Sequence, residues 1–282
     1  MGIVNATPDS FSDGGRFLNP DAAVAHALSL VADGAEIVDV GGESTRPGAE
    51  AVAVEEELRR VLPVIEGIAA ASGPPTAEPQ ISIDTSKAAV ARAALAMGAS
   101  LVNDVSALRA DPEMAGVLAQ SGADCCLVHM LGLPGREWPR PRYADVVDDV
   151  KAFLEERMAF AVREGVEERR LLLDPGIGFG KTVEHNLQLL RRLDELVALG
   201  CPVVIGTSRK SFLGRIAGAG ADPERLAGTV ATNVLALERG ARVFRVHEVA
   251  PLREALAVTA ATLAGRWTES GVARTQTTTP TS

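Results

Sequence analysis

Short apolar runs and stretches of helical period alternate eight times along the chain. The runs are Gly2–Asn5, Glu36–Val40, Ile81–Asp84, Leu101–Asp104, Cys125–His129, Leu171–Asp174, Val203–Gly206 and Val243–His247. Each is rich in Val, Ile or Leu and short enough for a parallel strand buried on both faces. Between them, apolar residues recur at helical spacing: Val24, Leu28 and Val31; Val54, Leu58, Val61, Leu62, Ile65 and Ile68; Leu187, Leu190, Leu193 and Val197; Leu226, Val230, Val234 and Leu237. Such stripes predict helices that turn one face toward a sheet. Asn19-Pro20 reads as an N-cap followed by proline at the first helical position. Gly34, Gly98, Gly122, Gly165, Gly200 and Gly240 stand where each helix gives way to the next strand, the usual place for a left-handed glycine.

This rhythm predicts an α/β fold, a single (β/α)8 TIM barrel occupying one domain over residues 1–267. A doubly wound sheet fits less well, because no GxGxxG opens the first helix. Three segments interrupt the pattern: the Pro-rich stretch Ser72–Gln80, the long loop Leu131–Arg142, and the Thr-rich tail 268–282, which is expected to be disordered. The first strand starts one residue after Met1, so either a lead-in has been lost or translation starts upstream.

Composition narrows the function. The length of 282 residues suits a barrel of this kind, which runs to about 250 residues. A net charge of −9 argues against nucleic acid as a partner, since phosphate-backbone binding needs clustered Lys and Arg. No apolar run reaches membrane-spanning length and no signal peptide opens the chain, so a cytoplasmic protein without a membrane partner is expected. Cys125, Cys126 and Cys201 lie in apolar runs and read as buried thiols in a reduced compartment.

In such barrels the chemistry sits at the C-terminal ends of the strands. Here those ends are polar: Asn5, Asp39, Asp84, Asn103 with Asp104, His129, Asp174, Ser208 to Lys210, and Arg245 with His247. One polar end can be a cap. A full ring of them implies partners or a ligand, because unpaired buried carboxylates are costly. Asp84, Asn103, Asp174 and Lys210 offer donors and acceptors suited to a planar, nitrogen-rich heterocycle. Asn5, Thr45, Arg46, Arg245 and His247 suit a phosphate or diphosphate.

The segments MGIVNATPDSFSDGG (1–15), DVGGESTRPGA (39–49), ISIDTSK (81–87), VNDV (102–105), LLLDPGIGFGK (171–181), GTSRKSFLG (206–214) and RVHEV (245–249) resemble, in order, the signature segments of the dihydropteroate synthase family. The resemblance implies a homodimeric TIM barrel that joins p-aminobenzoate to 7,8-dihydropterin-6-ylmethyl diphosphate, releases pyrophosphate and needs Mg²⁺. It implies that Asp84, Asn103, Asp174, Gly206 and Lys210 bind the pterin, with Met130 and Phe179 lining the pocket. Asn5 then helps to hold Mg²⁺, and Thr45, Arg245 and His247 contact the diphosphate. Phe11, Arg46, Pro47, Ser208 and Arg209 belong to the p-aminobenzoate side. The groups expected to carry the chemistry are Lys210, Arg245, His247 and Asp84.

Other residues read more plainly. DPGIGFGKT lacks the first glycine of a Walker loop, where Pro175 stands, so nucleotide binding is rejected and Lys181 is expected to face solvent. Glu55, Glu56 and Glu57 read as a solvated helix start. His26 and His185 read as structural or exposed, and His129 as either a packed histidine or a ligand contact. Three rival functions are a corrinoid-linked methyltransferase on the same pterin barrel, a non-catalytic pterin-binding paralogue, and a non-enzymatic interaction barrel. SRK after the seventh strand and RVH after the eighth favour the synthase, because methyl transfer needs no diphosphate clamp.

Overall fold

The structure is a computed structural model, and it describes residues 1–7, 19–44, 49–71, 78–134, 140–218 and 224–267. The Pro-rich stretch at 72–77, the centre of the loop after the fifth strand, and the tail 268–282 lie outside the described residues, as do Phe11, Thr45, Arg46 and Pro47.

Among the described residues eight strands alternate with helices: β1 (Gly2–Asn5), α1 (Pro20–Ala32), β2 (Ile37–Gly41), α2 (Val54–Ala71), β3 (Gln80–Asp84), α3 (Ala88–Ala96), β4 (Leu101–Asp104), α4 (Met114–Ser121), β5 (Asp124–Val128), α5 (Val146–Arg163), β6 (Leu171–Asp174), α6 (Val183–Arg191), α7 (Leu193–Val197), β7 (Val204–Ile205), α8 (Ser211–Ala217), α9 (Leu226–Glu238), β8 (Val243–Phe244) and α10 (Val249–Ala264). Strands β1 to β6 form one parallel sheet in chain order, and β7 pairs with β8. Single bridges close the ring: Leu173 pairs with Val203 between β6 and β7, and Gly2 with Val246 between β8 and β1. The Ile3 amide donates to the Val246 carbonyl (3.0 Å), and the Val246 amide donates to the Met1 carbonyl (2.9 Å). The expected barrel is therefore present, as six strands and a two-stranded unit sewn together at two narrow seams.

Successive strand residues face opposite sides, and residues paired across parallel strands share a face. The register Asp39↔Ser82, Asp84↔Asn103, Asn103↔Cys126 and Val128↔Asp174 places these side chains on one face, the barrel interior. Their neighbours Val38, Val40, Ile83, Val102, Leu127 and Leu173 belong to the large core shared with the helices. A small inner cluster of Cys126, Val128 and Val204, with Leu172, Phe179 and Val243 against it, forms the floor beneath the polar rim.

The punctuation signals act as expected. The Asn19 side chain accepts from the Ala22 amide at 3.2 Å. All six glycines that follow helices have φ between 65° and 113°. All three cysteines are free and buried. Two helical stripes come out differently. The 187–197 pattern is broken at Arg192 into α6 and α7, and Leu187 is 44% exposed while Leu189 is buried. In α9 the buried residues are Thr229, Asn233 and Ala236, whereas Leu226, Val230, Val234 and Leu237 lie on the half-exposed side. The reason is local: Asn233 Nδ2 donates to Thr207 Oγ1 (2.9 Å) and to the Thr229 carbonyl (2.8 Å), so the inner contact of α9 is polar.

Candidate active site

Asp39 on β2 is fully buried, and three donors converge on it. Ser82 Oγ reaches Oδ1 at 2.6 Å, Asn103 Nδ2 reaches Oδ2 at 3.3 Å, and Arg245 Nε reaches Oδ2 at 2.6 Å. The other arm of Arg245 donates from Nη2 to Asp84 Oδ2 at 2.8 Å. The sequence separates a heterocycle sector from a diphosphate sector; the structure joins them, because one guanidinium holds Asp39 and Asp84 at once. Burial pushes the Asp84 carboxyl up to about 7, and neighbouring Asp39 adds to this against the pull of Arg245. Arg245 itself is held firmly protonated by the same carboxylates, against the cost of burial.

Across the interior, Asp174 ends β6. Its Oδ1 accepts from the Gly176 amide at 2.6 Å, and burial raises its pKa. Lys210 follows β7, with its Nζ lying 4.1 Å from the centre of the Phe179 ring. Burial lowers the Lys210 ammonium to about 8, an effect that Asp174 opposes. Gly206 faces the same space: a Cβ there would come no nearer than 3.9 Å to Arg245 and 4.0 Å to Asp174, so the glycine leaves room for a ligand. Met130 is buried just after β5, and its carbonyl accepts from Arg109 Nη2 at 2.8 Å. Asp84, Asn103, Asp174, Lys210, Phe179 and Gly206 thus gather at one end of one barrel.

On the remaining side, Ser208 Oγ lies 2.8 Å from His247 Nδ1 and accepts from the His247 amide at 3.2 Å. This bond ties the end of β7 to the end of β8 and fixes the imidazole plane. Arg209 has a left-handed backbone (φ 58°), and its guanidinium pairs with Glu224 and Glu248 at the rim. It is therefore committed to the wall around the site. Asn5 is exposed at the end of β1.

Three sequence expectations need correction, those for Asp104, Lys181 and Glu57, and His129, read as either a packed histidine or a ligand contact, is the packed one. Asp104 is one residue out of phase with Asn103 and faces away from the interior; its carboxylate accepts from the amides of Ser106 and Leu108, both at 2.8 Å, and shapes the loop after β4. His129 is likewise out of phase with Val128. Its ring meets Phe153 of α5 edge-on at 4.8 Å, outside the barrel. Lys181 does not face solvent: its Nζ donates to His129 Nδ1 at 2.8 Å and to the Gly176 carbonyl at 2.9 Å. Glu57 is fully buried and bonds Lys87, whose Nζ also reaches Glu43 at 2.5 Å. Of the group Glu55–Glu57, Glu56 does pair at the surface, with Arg59 and Arg60.

The sequence also underrates Ser82. Its signal was the alternation in Ile81-Ser82-Ile83-Asp84, which puts a hydroxyl on the same face as Asp84. Gly176 is a second case. Its φ is +67°, and a Cβ there would lie 1.8 Å from the His129 carbonyl oxygen. The left-handed backbone alone costs an alanine about 1–2 kcal/mol, and the clash adds to that. Gly176→Ala should therefore melt well below the parent in a thermal scan. Gly122→Ala, with a similar φ of +65° and no atom near the new Cβ, should lose only the backbone share.

Comparison with known proteins agrees with this geometry. A family model described as "Pterin binding enzyme" matches residues 1–247. The chain is 45% identical over 266 residues to the dihydropteroate synthase of Escherichia coli (strain K12), covering 94% of this chain and 92% of that protein. It is 48% identical over 278 residues to that of Mycobacterium leprae (strain TN), covering 96% and 94%. The Xanthomonas albilineans dihydropteroate synthase solved with 4-aminobenzoic acid superposes with a TM-score of 0.86 at 50% identity, covering 94% of this chain and 92% of that one. The same enzyme in complex with 7,8-dihydropteroate superposes with a TM-score of 0.82 at 47% identity, covering 94% and 93%. An interior of paired carboxylates, a buried lysine and a tethered guanidinium, on a chain so similar to these over nearly its whole length, places this protein in the pterin-binding enzyme family, among the dihydropteroate synthases.

Proposed function

We infer that this enzyme condenses 7,8-dihydropterin-6-ylmethyl diphosphate with p-aminobenzoate to give 7,8-dihydropteroate and pyrophosphate. The observation that carries the reading is the network of Asp39, Asp84 and Arg245, which sets an N–H-accepting carboxylate beside a fixed cation. A pterin ring with its 6-methylene diphosphate needs both, one at each end.

The chemistry asks for positioning more than for a strong base. An arylamine is neutral at pH 7 and nucleophilic as it stands. The C–O bond to the diphosphate breaks with the electron pair leaving on pyrophosphate. The amine lone pair forms the C–N bond, and the amine then loses a proton. Asp84, Asn103 and Asp174 hold the ring and face the positive charge that develops on it. Lys210, Arg245 and His247 face the charge that departs. Ser208 orients His247 and, on the p-aminobenzoate side, works with Phe11, Arg46 and Pro47.

The residues present also fit Mg²⁺. This ion is usually bound through one or two protein oxygens plus substrate phosphates and water. The Asn5 amide oxygen, at the exposed end of β1, is a hard donor of that kind. When bound, the ion would neutralise diphosphate charge. Asp174, Lys210 and Arg245 do their own work of holding and orienting whether or not it is there.

The half-exposed apolar side of α9, with Leu235, and the exposed Val258 and Leu263 of α10 support a homodimer formed through these helices; light scattering should give twice the chain mass. A cytoplasmic location suits the free thiols. Among the described residues no helix is long and apolar enough to cross a membrane.

The deciding assay is pyrophosphate release with the pterin diphosphate, Mg²⁺ and p-aminobenzoate. Release should depend on p-aminobenzoate and be inhibited competitively by a sulfonamide. Absence of p-aminobenzoate-dependent release would sink this reading in favour of a non-catalytic pterin binder.

A further inference from the structure

The turn between β6 and α6 contains three left-handed glycines, Gly176, Gly178 and Gly180, with φ of 67°, 86° and 66°. Such a turn can make few bonds of its own; the Phe179 amide to the Gly176 carbonyl, at 3.0 Å, is one. Two of its carbonyls, those of Gly176 and Phe179, turn outward onto a single ammonium, while that of Gly180 accepts from Tyr143 Oη at 3.4 Å. Lys181 Nζ donates to the Gly176 carbonyl at 2.9 Å, the Phe179 carbonyl at 3.3 Å and His129 Nδ1 at 2.8 Å, and it lies 3.5 Å from the His129 carbonyl. His129 is itself fixed by the edge of Phe153. The inner side of the same turn makes the site: the Gly176 amide is bonded to Asp174, and the Phe179 ring lies under Lys210. Gly176 sits too close to the His129 carbonyl for any side chain to intervene.

We propose that Lys181, seated on His129 outside the barrel, is a positioning residue that holds the turn 175–180 so that Asp174 and Phe179 meet the pterin ring correctly. The inference rests on the pterin-binding reading above. Lys181 touches no reacting atom. It gathers the outward carbonyls of a backbone that would otherwise spread, and the imidazole accepts the ammonium's remaining proton.

Lys181→Met keeps the stem and removes the donor. The KM for the pterin diphosphate, and the Kd of 6-hydroxymethylpterin measured by its fluorescence, should each rise about 10-fold or more, the usual cost of removing a group that orients site ligands. The KM for p-aminobenzoate at saturating pterin should stay near the parent's. His129→Phe keeps the ring packing and loses the acceptor, and it should move the same two constants in the same direction, by less. The double variant should be no worse than Lys181→Met, as members of one network behave. Parent-like pterin constants in Lys181→Met would overturn the proposal. So would a loss of activity that merely tracks the folded fraction and leaves pterin binding alone. Should Lys181→Met fail to fold, His129→Phe decides by the same criterion. Should the parent release no pyrophosphate, the catalytic reading fails separately, and hydroxymethylpterin binding by the two variants still decides this one.

Discussion

Arg245→Ala should cost the enzyme both stability and activity, and by different routes. The guanidinium is the cationic partner of Asp39, which is fully buried, and it also holds Asp84. Removing it leaves Asp39 with Ser82 and Asn103, which are dipoles and not charges. Breaking a buried ion pair by deleting one partner costs about 3–5 kcal/mol, because a charge is left uncompensated. Denaturant unfolding should register that loss. Activity should fall as well, since the clamp on the departing diphosphate is gone. Adding Asp84→Asn to the variant should recover part of the stability and none of the activity. A melting curve for Arg245→Ala identical to the parent's would mean that the carboxylates do not depend on it.

Lys210→Ala is expected to behave in the opposite manner. Its side chain rests on Phe179 and runs past Gly178, and its amide bond to the Thr207 carbonyl, at 3.1 Å, survives the change. The fold should therefore hold. Turnover should drop about 10²–10³-fold, the usual effect of removing one preorganised donor from a developing charge. The pH profile gives a second check. Burial lowers the Lys210 ammonium to about 8, so the charged form prevails below that pH and is lost above it. The kcat/KM of the parent should decline on the alkaline side through about 8, since this parameter reports the free enzyme. In Lys210→Arg the charge persists and that limb should flatten, whatever the remaining activity. A limb that stays put in Lys210→Arg would assign the titration to another group.

The barrel was legible because strand and helix periods differ and because glycine punctuates their junctions. The rim was legible wherever strand parity was clear: Asp84 and Asn103 fall on the inner face without further information. Parity misleads at strand ends, where a shift of one residue reverses the direction. Asp104 and His129 are both displaced by that single step, while Asn103, the neighbour of Asp104, bonds Asp39 in the interior as a ring position should. α9 shows the other kind of failure. Apolar spacing marks a stripe but does not say which neighbour covers it, and Asn233 was drawn inward by Thr207. The role of Lys181 had no local signal, because its partners are backbone carbonyls and a histidine 52 residues away.

The two narrow seams of the barrel divide it in another respect. Asp39, Asp84 and Asp174 are carried by β2, β3 and β6 of the six-stranded part, while Lys210, Arg245 and His247 follow the two-stranded part. Those charges are not kept apart: Arg245, from the two-stranded part, grips Asp39 and Asp84 of the six-stranded part, and Asp174 steadies the charge on Lys210. The mouth therefore carries a third seam, made of ion pairs where the other two are made of backbone. The residues that receive the substrate are the same ones that fasten the two parts of the barrel to each other.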